Sequence, residues 1–132
     1  MRMVSFRAPA YVVLVVQDLD RALRFYCDLL GMPLGHRSDS FAQLATGVTR
    51  VALYERSAMA ATLGRELEPP SPDAPGFELG FKVEDCDAAY AELVSGGATP
   101  AVPPTDRAWG QRTAYLRDPD GHLVELAQDL GR

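Results

Sequence analysis

The sequence predicts an α+β domain of two paired βαβββ modules, each contributing to a curved mixed β-sheet around a cleft. The first observation is an internal repeat. Gln17-Asp18-Leu19-Asp20-Arg21-Ala22-Leu23 and Glu84-Asp85-Cys86-Asp87-Ala88-Ala89-Tyr90 each follow a β-like run and open a helix-like run that stops at glycine. An offset of 67 residues carries Asp18 onto Asp85, and Val12, Leu14 and Val16 onto Leu79, Phe81 and Val83. A repeat of half the chain length implies two copies of one unit that bury apolar faces together. The second observation is hydrophobic period, apolar in continuous runs at 11–16 and 78–83 and helical in the stretches after them. The third is the closing segment, where two alternating runs flank Asp118-Pro119-Asp120-Gly121, whose Pro and Gly suit a tight hairpin turn.

The elements follow in order. Residues 11–16 are valine-rich without polar interruption, which suits a strand covered on both faces. Asp18 or Asp20 caps a helix running to Leu30, with Leu19, Leu23, Tyr26 and Leu30 at helical spacing. Gly31 ends it, and Pro33 blocks its continuation. Three short strands follow at about 34–38, 40–45 and 49–54, with Gly47 in a turn, completing module one over residues 9–55. A linker over 56–76 holds one possible helical turn at 57–63 and then a proline-rich stretch, read as a tether or a lid. Module two spans 77–129. Its helix starts at Asp85 or Asp87 and stops at Gly96-Gly97, a strand lies at 99–102, and a loop follows at 103–106. Strands at 112–116 and 123–128 close it.

Composition narrows the function. The 132 residues make one domain's worth of chain, and a hydrophobic share of 47% supports a substantial core. A net charge of −5 without a basic stripe argues against a nucleic-acid partner. No apolar run approaches the roughly 18 residues that span a bilayer, so no membrane partner is expected. Residues 1–7 lack the apolar core of a signal peptide, which makes the cytoplasm the expected location. Cys27 and Cys86 have no neighbouring ligand pattern and are expected as free thiols.

Strand alternation selects the residues able to carry chemistry. Tyr11, Val13 and Val15 face the inside of the curved sheet, and the repeat puts Glu78, Gly80 and Lys82 on the matching face. On the last strand Leu123, Glu125 and Ala127 share one face, so an inward Glu125 is a carboxylate among apolar neighbours and a site candidate. Lys82 is expected to neutralise Glu78. Trp109 and Arg112, at the mouth of the closing hairpin, either stack on and pair with a planar ligand, or cap the fold and meet a surface carboxylate. Phe41 and Tyr54 are further candidates for the cleft lining. His36 and His122 are expected at the surface.

The run from Val15-Val16-Gln17-Asp18-Leu19-Asp20-Arg21 to Gly31-Met32 resembles the opening module of the vicinal oxygen chelate superfamily. Residues 109–126, with Asp118-Pro119-Asp120-Gly121-His122 and Glu125, resemble its closing hairpin. The resemblance covers essentially the whole chain and implies the glyoxalase/bleomycin-resistance/dioxygenase fold. It also implies a divalent metal held by the first and last strands of each module. Those positions carry Tyr11 and Glu78 on the first strands, and Glu125 and either Ala52 or Val51 on the last strands. Tyr is a poor ligand, and Ala and Val are none, so no cofactor and no zinc, nickel or iron is expected.

The reading that follows is a small-molecule binding protein of the bleomycin-resistance type, assembled as a homodimer. Tyr11, Phe41, Tyr54, Glu78, Trp109 and Arg112 would contact the ligand, and Glu125 is the one residue expected to carry any catalysis. The rival is an enzyme of the same superfamily, either a metal-dependent lyase or dioxygenase or a metal-free isomerase with Glu125 as general base.

Overall fold

The computed structural model describes residues 8–71 and 73–131, so the N-terminal segment read for a signal and Pro72 of the proline-rich stretch lie outside the described residues. The chain divides into two compact units, with the break between Leu67 and Glu68.

The first unit runs β1 (Tyr11–Val16), α1 (Leu19–Leu23), β2 (Leu34–Arg37), β3 (Phe41–Leu44), β4 (Arg50–Glu55) and α2 (Arg56–Leu63). Its sheet has the order β1-β4-β3-β2, with β1 and β4 parallel and the other pairs antiparallel. Asp18 caps α1 by accepting the Arg21 amide at 3.1 Å. The helix then widens into a π-helical segment, Arg24–Leu29, where the Leu30 amide reaches back to the Phe25 carbonyl at 2.9 Å. That wider turn places Phe25 and Tyr26 side by side in the core, their rings edge to face at 4.9 Å. Leu14, Val16, Ala42, Leu44, Val51 and Leu53 complete the core from the sheet. The connection expected to hold one helical turn contains the full α2, ended by Gly64 at φ +72°.

The second unit repeats the plan: β5 (Glu78–Lys82), α3 (Cys86–Ser95), β6 (Thr99–Asp106), β7 (Gln111–Arg117) and β8 (Leu123–Asp129). The sheet order is β5-β8-β7-β6, with β5 and β8 parallel. Asp85 caps α3 through the Ala88 amide at 3.0 Å, as Asp18 caps α1. A second tether is repeated as well. The Leu19 amide donates to Glu55 Oε2 at 3.0 Å and the Cys86 amide to Gln128 Oε1 at 2.8 Å, so in each unit the last strand holds the start of the helix.

Two expectations change here. The loop expected at 103–106 is the second half of β6, which tolerates Pro103 and Pro104 because it is an edge strand with register shifts. His122, expected at the surface, is buried; its ring lies 6.0 Å from Phe77 and its amide donates to Asp118 Oδ1 in the hairpin turn. Cys27 and Cys86 are free thiols. Among the described residues no helix is long and apolar enough to cross a membrane.

Replacing Asp85 with Ala should lower the unfolding free energy by about 1 kcal/mol, whereas Asn should retain most of the cap. Urea denaturation of the two variants checks this.

Candidate functional site

In each unit one sheet face packs beneath the helix and the other points away from it. On the second unit, cross-strand pairing fixes what the face away from the helix carries. Glu78 pairs with Leu123, Gly80 with Glu125 and Lys82 with Ala127; on the other side of β8, Tyr115 pairs with Glu125, Thr113 with Ala127 and Gln111 with Asp129. Gly80, Glu125 and Tyr115 therefore form one row across three strands. The Tyr115 hydroxyl donates to Glu125 Oε2 at 2.9 Å. Glu125 is half-buried beside a phenol and a glycine, so its surroundings are more polar than the apolar pocket expected from the sequence.

Glu78 lies on the same strand face, two residues before Gly80. Its carboxyl is pushed above its ordinary value, first by partial burial and then by the negative charge of Glu125. Tyr115 is pushed up as well, by burial and then by its hydrogen bond to Glu125. Glu78 also borders a depression of about 250 Å3 formed with Pro75, Gly76, Phe77 and Leu123.

Lys82 does not neutralise Glu78. Its ammonium donates to both oxygens of Asp129, at 2.6 and 2.8 Å, and holds that carboxyl below its ordinary value. Asp129 Oδ1 also accepts from Gln111 Nε2 at 3.0 Å, and Gln111 Oε1 accepts from Trp109 Nε1 at 2.9 Å. This chain fixes an indole that remains 64% exposed at the turn between β6 and β7. Arg107 anchors to Thr113 Oγ1 at 2.8 Å and sets its guanidinium 6.0 Å above the Tyr115 ring.

Arg112 is placed elsewhere. It alternates with Gln111 and Thr113, which puts it on the helix side of the sheet. There it pairs with Asp87 of α3 and with Asp106, each at 3.0 Å, and both contacts push its titration up. The ion-pairing alternative for Arg112 is therefore the one observed, on the sheet face opposite the Gly80–Glu125–Tyr115 row.

The remaining candidates belong to the first unit. Tyr11 is 56% exposed at the start of β1. Phe41 and Tyr54 face each other across β3 and β4 with rings 6.0 Å apart. Thr62 spends its proton on the Ala58 carbonyl, so the Tyr54 hydroxyl is the donor in its 2.9 Å contact with Thr62. The pairing also settles a register the sequence left open. Val13 faces Ala52 where Gly80 faces Glu125, so Ala52, not Val51, is the counterpart of Glu125. A larger depression of about 420 Å3 between α1 and β2 contains the Arg37–Asp20 ion pair and none of the candidates.

Sequence reasoning missed Tyr115 and the Gln111–Asp129 pair. The signal was present in the hairpin, since counting outward from the turn pairs Arg117 with Leu123 and hence Tyr115 with Glu125.

A raised Glu78 value means that the folded chain holds this proton more tightly than the unfolded chain. Its favourable contribution is complete below the ordinary value of about 4.3. That contribution is lost as pH rises through the raised value. The stability gained by Glu78→Gln should therefore grow between about pH 4 and pH 7, as measured by urea unfolding at several pH values.

A family model described as the Glyoxalase/Bleomycin resistance protein/Dioxygenase superfamily matches residues 8–126. The chain is 36% identical over 121 residues to the uncharacterized protein YraH of Bacillus subtilis (strain 168), covering 89% of this chain and 94% of that one. It is 30% identical over 123 residues to the bleomycin resistance protein of Geobacillus stearothermophilus, covering 89% and 93%. A crystal structure of a glyoxalase/bleomycin resistance protein/dioxygenase from Nocardioides superposes with a TM-score of 0.81 at 26% identity, over 98% of this chain and 87% of that one. With this fold, this register and these relatives, the chain belongs to the glyoxalase/bleomycin resistance protein/dioxygenase superfamily.

Proposed function

We propose that this protein binds a small molecule on the face of its second sheet that points away from α3, in the manner of a bleomycin-resistance protein, and does so without a metal. The observation that carries the reading is the presence of two recognition elements on one strand pair. At one end Glu125 keeps an oxygen free of its bond to Tyr115, with Glu78 nearby; at the other Trp109 is held by Gln111. The carboxylates suit ligand hydrogen-bond donors or a cationic group, and the indole suits a planar ring. Gln111 and Tyr115 stand four positions apart on β7, about 13 Å of strand. A ligand that meets both elements must be elongated. The resemblance to a bleomycin resistance protein at 30% identity supports the same class.

The side chains do not suit the metal centre that the superfamily implies. Ala52 stands where Glu125 stands in the other unit and offers no donor, and Tyr11 is a poor one. Among the described residues no three His, Cys, Asp or Glu side chains gather to hold an ion. The assembly proposed is a homodimer in the cytoplasm, and sedimentation velocity tests the dimer.

A second reading, metal-free proton transfer next to a carbonyl, is favoured by the place of Glu78, which borders the depression of about 250 Å3 on the same strand face as the Gly80–Glu125 pair, with its carboxyl pushed up by partial burial and by Glu125. It moves the general base from Glu125 to Glu78. Deuterium incorporation into dihydroxyacetone, lost on Glu78→Gln, would support it.

Trp109 is the chain's single tryptophan, so its fluorescence reports on binding directly. Metal-free bleomycin should quench it saturably, and Glu125→Gln should weaken binding by about tenfold, the equivalent of about 1.4 kcal/mol for a lost charged hydrogen bond. The melting temperature should be unchanged or higher. Absence of quenching at millimolar bleomycin overturns the bleomycin-type reading. Elemental analysis should find no stoichiometric zinc, nickel or iron; one metal per chain, lost on Glu125→Ala, overturns the metal-free site.

A further inference from the structure

We infer that Gly80 and Tyr115 are positioning residues for Glu125: the absent side chain at Gly80 leaves the space one carboxylate oxygen occupies, and the Tyr115 hydroxyl holds the other. A Cβ built on Gly80 would lie 3.0 Å from Glu125 Oε1, tighter than ordinary contact, so the carboxylate end of Glu125 would have to shift to admit it. Oε2 is fixed from the opposite strand by the 2.9 Å bond from Tyr115. The carboxylate is thus held on one side by Tyr115 and given room on the other by Gly80.

Backbone conformation does not explain this glycine. Gly80 is not among the residues with positive φ, and a glycine inside a strand weakens it. Space is the reason that remains. The first unit supplies an internal comparison, because its equivalent row is Val13, Ala52 and Gln43. Where the last strand carries the small Ala52, the first strand carries a full side chain; where the last strand carries Glu125, the first strand carries none. Arg107 backs the arrangement by sitting over the Tyr115 ring. The result is one preset orientation of Glu125, with Oε1 directed to the strand that bears Glu78.

The consequence for ligand affinity rests on the binding reading above, but the test of positioning needs no ligand. The full chain is labelled with 13C at the Glu carboxyls, and the Glu78 titration is followed by NMR. Gly80→Ala should push the Glu125 carboxylate off β5, so the Glu78 midpoint should fall toward its ordinary value. The melting temperature should drop by about 3–6 °C. In a Glu125→Ala background the same Gly80→Ala change should leave the melting temperature unchanged or raise it. Tyr115→Phe should likewise destabilise only when Glu125 is present. If Gly80→Ala folds only together with Glu125→Ala, the inference stands. It is overturned if Gly80→Ala leaves the Glu78 titration in place, if the losses are equal in both backgrounds, or if neither Gly80→Ala variant folds. A wild-type protein that ignores metal-free bleomycin refutes the proposed function and leaves this test intact.

Discussion

Parallel pairing of the first and last strand in each unit is the constraint on which the rest depends. A parallel pair cannot be closed by a tight turn and needs a crossover, here a helix and two further strands. The crossover supplies the helix that covers one sheet face, and the two intervening strands supply the antiparallel neighbours of the last strand. The last strand ends up central, hydrogen-bonded on both sides, and its side chains are flanked by those of the first strand and of the hairpin partner. Glu125 can be set between Gly80 and Tyr115 only in such a sheet. The tethers from Glu55 to the Leu19 amide and from Gln128 to the Cys86 amide add to it, because they fix each helix to the strand that carries the row.

Charge is partitioned between the two faces of the second sheet. On the helix side Arg112 is shared by Asp87 and Asp106 and joins α3 to the sheet. On the other face Lys82 is committed to Asp129, and that pair carries the chain through Gln111 to Trp109. Arg107 is spent on Thr113 and on the Tyr115 ring. None of these three cations is placed to neutralise Glu78, whose titration is raised in part by the charge of Glu125. A surface of this kind presents acceptors and an indole, which is the chemistry the proposed binding function uses.

The two units keep one architecture and differ in the row that matters. Helix caps, tethers and strand order are shared. The central row is apolar or amide in the first unit, with Val13, Ala52 and Gln43, and acidic in the second. Duplicated framework residues answer to folding, which is the same problem twice; the row answers to the ligand, which need not be symmetric.

The sequence by itself determined the two-module plan, the caps to within two residues (Asp18 or Asp20, Asp85 or Asp87), the glycine stop at Gly31 and the inner faces of the two first strands. These depend on period, capping chemistry and turn residues, all of which act over a few positions. It also marked Glu78, Glu125 and Trp109 as unusual for their strands and turn. Tertiary structure decided what those residues touch. The placement of Arg112 on the helix face follows from hairpin register and from Asp87, 25 positions away. Lys82 found Asp129 at a separation of 47, and His122 became buried with its ring 6.0 Å from that of Phe77, 45 positions away. The choice between Ala52 and Val51 needed the parallel register of β1 with β4, and the reason for Gly80 needed the position of a carboxylate on another strand. Side-chain partners across strands depend on register and on which long side chain reaches first, and neither quantity is encoded locally.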